Sequence, residues 1–122
     1  MNAFESMTHA RVVDCFEAEG TICFLVKKGD LGKAIGKGGS VISNARKKLG
    51  KRIAVYEDFD NDREFIEKAC GTTKASPNIE ENKINVDIPR SQREEISGKD
   101  IRLLKELFKR KFKVDNVNFS FN

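Results

Sequence analysis

The chain repeats one pattern of sequence signals about sixty residues apart. Apolar segments typical of strands occur at residues 22–26 and 84–88, and each is followed by a turn and an amphipathic helical stretch. Ile35 and Ile96, which precede the two turns, are 61 positions apart. In a chain of 122 residues, this duplication predicts two small αβ units and excludes a single large barrel or a doubly wound sheet.

The first half contains signals for three strands and two helices. Strands are predicted at residues 12–16, 22–26 and 53–56. A short helix is expected over residues 31–35, and a longer one begins with Ser40 as its N-cap and stops at Gly50. Because residues 22–26 have no polar face, we expect that strand to be central in its sheet and covered on both sides.

The second half repeats the order after a polar segment. Asn61 and Glu64 fit a capping box at the start of a helix. Residues 71–78 are small and polar, contain Pro77 and predict a linker. We therefore expect a first domain at residues 1–70 and a second at residues 79–122. Within the second domain, the pattern predicts a strand at 84–88, a helix over 101–112 and a closing strand at 117–121.

Charge is distributed unevenly along the chain. The net charge is only +4, but residues 27–52 contain nine Lys or Arg residues and one acid, a local charge of +8. Residues 90–113 carry a local charge of +5, and residues 57–67 carry −5. Two separated basic segments can follow a phosphate backbone, although a solvated helix surface explains such runs equally well.

The segment with the most specific chemistry is the turn Gly36-Lys37-Gly38-Gly39. Its glycines allow positive φ and close approach of another chain. The helix that follows directs unpaired N–H groups and its positive dipole end toward the turn, which can therefore hold a phosphate. The nucleotide-triphosphate loop GxxxxGK[ST] does not fit, because Gly32 and Gly36 are one residue too close and Gly38 follows Lys37.

This turn, between a short helix and a longer one, resembles the GxxG loop of the KH fold, which clamps the backbone of about four single-stranded nucleotides. A closer resemblance, to the archaeal form of the NusA family of transcription factors, is carried by Asp14, Cys15, Val26, Lys27, Gly29, Asp30, residues 32–39, Val41, residues 49–51, residues 53–57 and Phe65. It implies an α+β fold with two small type II KH units, each a three-stranded mixed sheet covered by helices, packed in tandem. It also implies RNA binding during transcription elongation or termination.

The resemblance places the RNA contacts in the first unit. The residues expected to bind RNA there are Lys33, Ile35, Gly36, Lys37, Gly38, Gly39, Ser40, Val41, Arg46 and Lys47. Lys33 and Lys37 are expected to be the main phosphate contacts, and Val41 can belong either to the core or to the groove that holds the bases. In the second unit, the matching turn at residues 97–100 keeps one glycine and ends in an acid, so Gly98, Lys99 and Arg102 are expected to be secondary contacts.

Other classes of function have little support in the sequence. Cys15, Cys23 and Cys70 form no CxxC pair and predict buried, reduced thiols in a cytoplasmic protein. With His9 as the single histidine, no zinc site and no nucleophile–base pair can be assembled, so we expect no metal, cofactor, small-molecule substrate or enzymatic activity. The longest apolar run, residues 22–26, is too short to cross a membrane, and no signal peptide is visible.

Two alternatives to a single-stranded RNA-binding transcription factor stay open. A KH-like unit can be a protein-docking module, and the acidic segment at residues 57–67 could face RNA polymerase or an associated transcription factor. A ribosome-associated RNA-binding protein would share the same fold. Charge reversal at Lys37 distinguishes these alternatives, because it should lower the affinity for RNA only if the protein binds RNA through this turn.

Overall fold

A computed structural model of the chain describes residues 2–94 and 101–122. The protein divides into two units, Met1–Phe59 and Asp60–Asn122. In chain order, the helices and strands are α1 (Asn2–Thr8), β1 (Val12–Ala18), β2 (Thr21–Val26), α2 (Leu31–Ile35), α3 (Ser40–Leu49), β3 (Arg52–Glu57), α4 (Asp62–Cys70), β4 (Ser76–Glu80), β5 (Lys83–Ile88), α5 (Ile101–Phe112) and β6 (Asn116–Phe121).

In the first unit, β2 is the central strand of a sheet with the order β1-β2-β3. It pairs antiparallel with β1 and parallel with β3. Cys23, Phe24, Leu25 and Val26 are all buried. Because successive side chains of a strand point to opposite faces, both faces of β2 are covered, which confirms the prediction made from its apolar sequence.

Helices α1, α2 and α3 share one core with this sheet. The residues of that core are Phe4, Ala10, Phe24, Val26, Ala34, Ile42, Ala45 and Ile53. The ring of Phe4, on the helix α1 that sequence analysis did not predict, stacks on Phe24 with 3.8 Å between centroids. Ala34 lies on α2 and Ala45 on α3, so the same core fixes both helices and the turn that joins them.

The second unit has the same sheet topology. Strand β5 lies between β4 and β6, antiparallel to the first and parallel to the second. Its alternating apolar residues are buried, as are Leu103, Leu104, Leu107 and Phe108 of α5. The order helix–strand–strand–helix–helix–strand of the first unit and the matching sheet of the second confirm an α+β fold built from two type II KH units.

The division between the units falls earlier than the expected boundary at residue 70. Helix α4 belongs to the second unit, where the Phe65 ring lies 5.9 Å from that of Phe108 and 5.8 Å from that of Phe112. Residues 71–78 are not a free linker, because β4 begins at Ser76 and pairs with β5. The linker prediction rested partly on Pro77, but proline is tolerated in an edge strand such as β4.

The helix caps agree with the sequence at one position and differ at another. The Asn61 side chain accepts a 2.9 Å hydrogen bond from the Glu64 backbone N–H, as the predicted cap requires. Ser40, predicted as an N-cap, is instead the first residue of α3, and Gly39 precedes it in a left-handed conformation. Gly39 therefore takes the cap position, one residue before the predicted Ser40.

Candidate nucleic-acid interface

The turn between α2 and α3 follows a backbone path that favours glycine. At Gly36, where α2 ends, φ is 77° and ψ is 170°, a combination adopted almost only by glycine. Gly38 and Gly39 have φ values of 62° and 77°. The prediction that the glycines of this turn adopt positive φ is confirmed.

Gly36 differs from the other two glycines in its surroundings. A Cβ atom on Gly36 would lie 2.7 Å from Val41 Cβ and 2.8 Å from the Val41 backbone N, well inside the roughly 3.5 Å at which such atoms normally meet. A Cβ atom on Gly38 or Gly39 would meet nothing within 4 Å. The turn is therefore closed against α3 at Gly36 and open to an approaching molecule at Gly38 and Gly39.

The lysines predicted to contact phosphate differ in their availability. Lys37 in the turn and Lys47 on α3 are exposed. Neither forms an ion pair within residues 2–94 and 101–122. Lys33 is also exposed, but its Nζ lies 3.6 Å from Asp30 Oδ1. Lys37 therefore combines the closest position to the glycines with a charge that no neighbouring carboxylate offsets.

The side chain of Arg46 forms a hydrogen bond within the protein. Its Nη2 donates a 3.1 Å hydrogen bond to the backbone O of Ile53, on β3. This bond joins α3 to the edge strand of the sheet and uses one of the five N–H donors of the guanidinium. Arg46 thus has a structural role that its sequence position did not reveal, and its contact with RNA stays a prediction.

A buried carboxylate anchors the start of α2. Asp30 is 2% exposed and accepts hydrogen bonds from the backbone N, Nε and Nη2 of Arg11, at 2.8, 2.9 and 3.3 Å. The bonds from the Arg11 side chain hold the pKa of Asp30 well below its ordinary range. Sequence analysis missed this pair, although Asp30 stands out as the single acid among nine basic residues.

The apolar residues near the turn separate into core and surface. Ile42 and Ile53 are 7% and 4% exposed and belong to the core. Ile35 and Val55 are partly buried against that core, whereas Val41 is half-buried beside the turn. Val41 thus lies beside Gly36, where the turn is closed, and Ile42 and Ile53 belong to the interior.

The corresponding region of the second unit is described only in part. The predicted turn at residues 97–100, with Gly98 and Lys99, lies outside the described residues. Arg102 is exposed near the start of α5. Phe119 of β6 has its ring 6.0 Å from that of the buried Phe108 and packs against the core.

The described ranges, residues 2–94 and 101–122, also bear on metal binding and on membrane crossing. In those ranges, no group of three or more His, Cys, Asp or Glu residues is placed to hold a metal ion. No helix there is both long and apolar enough to cross a membrane. Cys15, Cys23 and Cys70 form no disulfide bond with one another; Cys23 and Cys70 are buried, and Cys15 is half-buried.

Together, the two αβ units and the open glycine turn with its exposed lysine define a tandem type II KH protein. The chain is 28% identical over 124 residues to "Probable transcription termination protein NusA" of Halococcus morrhuae, and the alignment covers 96% of this chain and 89% of that protein. A protein of the same name from Halobacterium salinarum is 27% identical over the same coverage.

Matches of higher identity are confined to part of the chain. Proteins of that name from Methanococcus vannielii and Methanocaldococcus jannaschii are 44% and 40% identical over 66 and 63 residues. These matches cover only about a third of the two relatives, 38% and 34% of their lengths. No protein-family profile matches the chain.

Among solved structures, the fold is similar to that of the crystal structure of APE1850. The TM-score is 0.83 at 25% sequence identity, over 97% of this chain and 93% of the other. By sequence, the chain is similar to archaeal NusA proteins, which confirms the resemblance seen in its motifs.

Proposed function

We propose that this chain is a non-enzymatic, single-stranded RNA-binding factor that acts in transcription elongation or termination in the cytoplasm. The observation that carries the proposal is the open turn at Gly38 and Gly39, with Lys37 exposed just before them. The archaeal relatives, each named as a probable transcription termination protein, support the transcriptional role.

The turn supplies what binding of an RNA backbone requires. Without Cβ atoms at Gly38 and Gly39, a phosphate can reach the turn at the positive end of the α3 dipole. The N–H groups of Gly39 and Ser40 donate to Gly36 O and Lys37 O, so the dipole and the nearby lysine provide the attraction. Lys37 adds a positive charge beside it, and Lys47 adds another on α3. Binding of this kind depends on position and charge rather than on base identity.

The bases would lie along the apolar side of the turn. Val41 is half-buried there, with Ile35 on the preceding helix. Bases can contact such a surface only when they are unstacked and unpaired, which favours a single strand over a duplex. In this arrangement, Gly36 and Ser40 shape the turn, and Lys33 and Arg46 lie at its borders. The protein partner of the factor is RNA polymerase or an associated transcription factor.

The proposal is tested by titrating short fluorescent single-stranded RNAs, with DNA of the same sequence and duplex RNA as controls, at two salt concentrations. The double substitution Lys37→Asp with Gly38→Asp should weaken RNA binding about tenfold or more. Lys74→Asp with Thr73→Asp, which makes the same change in charge at two exposed loop residues of the second unit, is the matched control and should have little effect. Circular dichroism spectra verify that each variant is folded.

The outcome also separates the alternatives. Equal RNA affinity for the folded double variant and the wild type would refute the site. If the wild type binds RNA only weakly and loses it at moderate salt, the result favours a protein-docking role instead, and RNA polymerase is the first partner to test.

A further inference from the structure

Helix α2, which leads into the glycine turn, does not hold itself in place. It has only five residues, Leu31–Ile35, and a helix of that length is not stable on its own. Its N-cap residue, Asp30, makes no side-chain cap hydrogen bond, and Ala34 is its single buried residue. The position of α2, and of Gly36 at its end, must therefore be fixed by contacts from outside the helix.

The apolar core supplies part of these contacts through Ala34, and Arg11, just before β1, supplies the polar ones. Its backbone N–H and side chain donate three hydrogen bonds to the buried Asp30 carboxylate. Its backbone O accepts a 2.9 Å bond from Lys27 N, and Lys27 O accepts a 3.0 Å bond from Asp30 N. Asp30 O in turn accepts a 3.2 Å bond from Ala34 N, within α2. A continuous series of hydrogen bonds thus runs from Arg11 into α2.

A second carboxylate fixes the other side of the loop that leads to α2. Gly29 N donates a 2.7 Å hydrogen bond to Glu57 Oε2, at the end of β3. The loop is therefore bonded to residues that flank both edge strands of the sheet, Arg11 before β1 and Glu57 on β3. Of these two attachments, the one through Arg11 reaches the residue that begins α2.

We propose that Arg11 is a positioning residue for the RNA-binding turn: through Asp30 it fixes the start of α2, and α2 fixes Gly36 and the amides that follow. This inference rests on the proposed function of the turn. It assigns an effect on RNA binding to a residue 25 positions before Gly36, outside the GxxG motif.

Arg11 acts through Asp30 and not as a phosphate contact. Its Nε and Nη2 are both directed at the carboxylate, whose negative charge offsets that of the guanidinium. Removing a cation that binds phosphate lowers the slope of log affinity against log salt by about 0.7 for a single strand. Removing Arg11 should weaken binding without that change in slope.

The test combines RNA titration over a salt series with amide hydrogen exchange of the full chain without RNA. In Arg11→Gln, we expect faster exchange across residues 31–41, with β2 still protected, and RNA binding weaker by about three- to tenfold at an unchanged salt slope. Arg11→Lys, which keeps the charge but replaces the planar guanidinium with a single ammonium group, should recover part of the affinity. Lys37→Gln is the comparison variant and should lower the slope.

Several results would overturn the inference. An affinity equal to that of the wild type despite faster exchange would show that α2 need not be fixed. A salt slope reduced as in Lys37→Gln would show direct phosphate contact. If Arg11→Gln does not fold, Arg11→Gln with Asp30→Asn, which removes the unpaired buried charge, provides the same readouts. Absence of RNA binding by the wild type would instead refute the proposed function, and the exchange data would still report whether Arg11 fixes α2.

Discussion

Gly36 and Gly38 both have positive φ, but their surroundings predict different consequences of adding a methyl group. At Gly36, the added Cβ would overlap Val41 in a backbone region that alanine avoids, so Gly36→Ala should destabilise the protein by about 2–4 kcal/mol. At Gly38 the Cβ meets open space, and only the left-handed backbone costs about 1 kcal/mol. Urea unfolding measures both free energies, and equal losses at the two positions would contradict this distinction.

The pairing of Asp30 with Arg11 makes stability depend on pH in the acid range. Because the folded-state pKa of Asp30 lies below its ordinary value, which is about 4, the carboxylate contributes its full stability above that value and loses it as pH falls below. Asp30→Asn should therefore be less stable than the wild type at pH 7, and the difference should narrow toward pH 3. Urea unfolding at several pH values tests this, and a difference that does not change with pH would contradict it.

At the scale of the element, periodicity identified most helices and strands but not their partners. The apolar run of β2 and the stripe of α5 were each sufficient to predict an element and its burial. The apolar face of α4 likewise showed that the helix is buried, yet it carries no information about which sheet it covers. Strand β4 was missed because its residues are largely exposed and include a proline, features that an edge strand shares with a loop.

The placement of α4 in the second unit gives a prediction about Phe65. Its ring is fully buried and contacts those of Phe108 and Phe112, so Phe65→Ala should cost about 3–5 kcal/mol. The loss should appear as faster hydrogen exchange in β5 and β6, while β2 keeps its protection. Lys68→Ala, which changes an exposed residue of the same helix, serves as the control. Faster exchange in β2 instead of β5 would show that α4 packs in the first unit.

The candidate site was predictable to the extent that it depends on local backbone chemistry. The glycines and Lys37 are adjacent in sequence, so one short motif contained their arrangement. Asp30 and Arg11 are 19 positions apart, and Arg46 reaches Ile53 on another element. Contacts of this kind depend on how elements pack, and the sequence offered only the isolated acid in a basic segment as a sign of one of them.

At the scale of the whole molecule, the charge pattern predicts unequal roles for the two basic segments. The first contains the open turn with exposed Lys37, whereas in the second the motif keeps one glycine and ends in Asp100. A charge that does not contact the RNA acts on it only through the screened field, which decays over about 10 Å at 0.1 M salt. Arg102→Asp should therefore weaken single-stranded RNA binding by less than about threefold, and Lys37→Asp by about tenfold or more. Because both substitutions change the net charge equally, titrations at the same salt concentration compare position alone. An equal loss for the two variants would mean that the RNA follows both units, and Arg102 would then be a phosphate contact whose removal also lowers the salt slope.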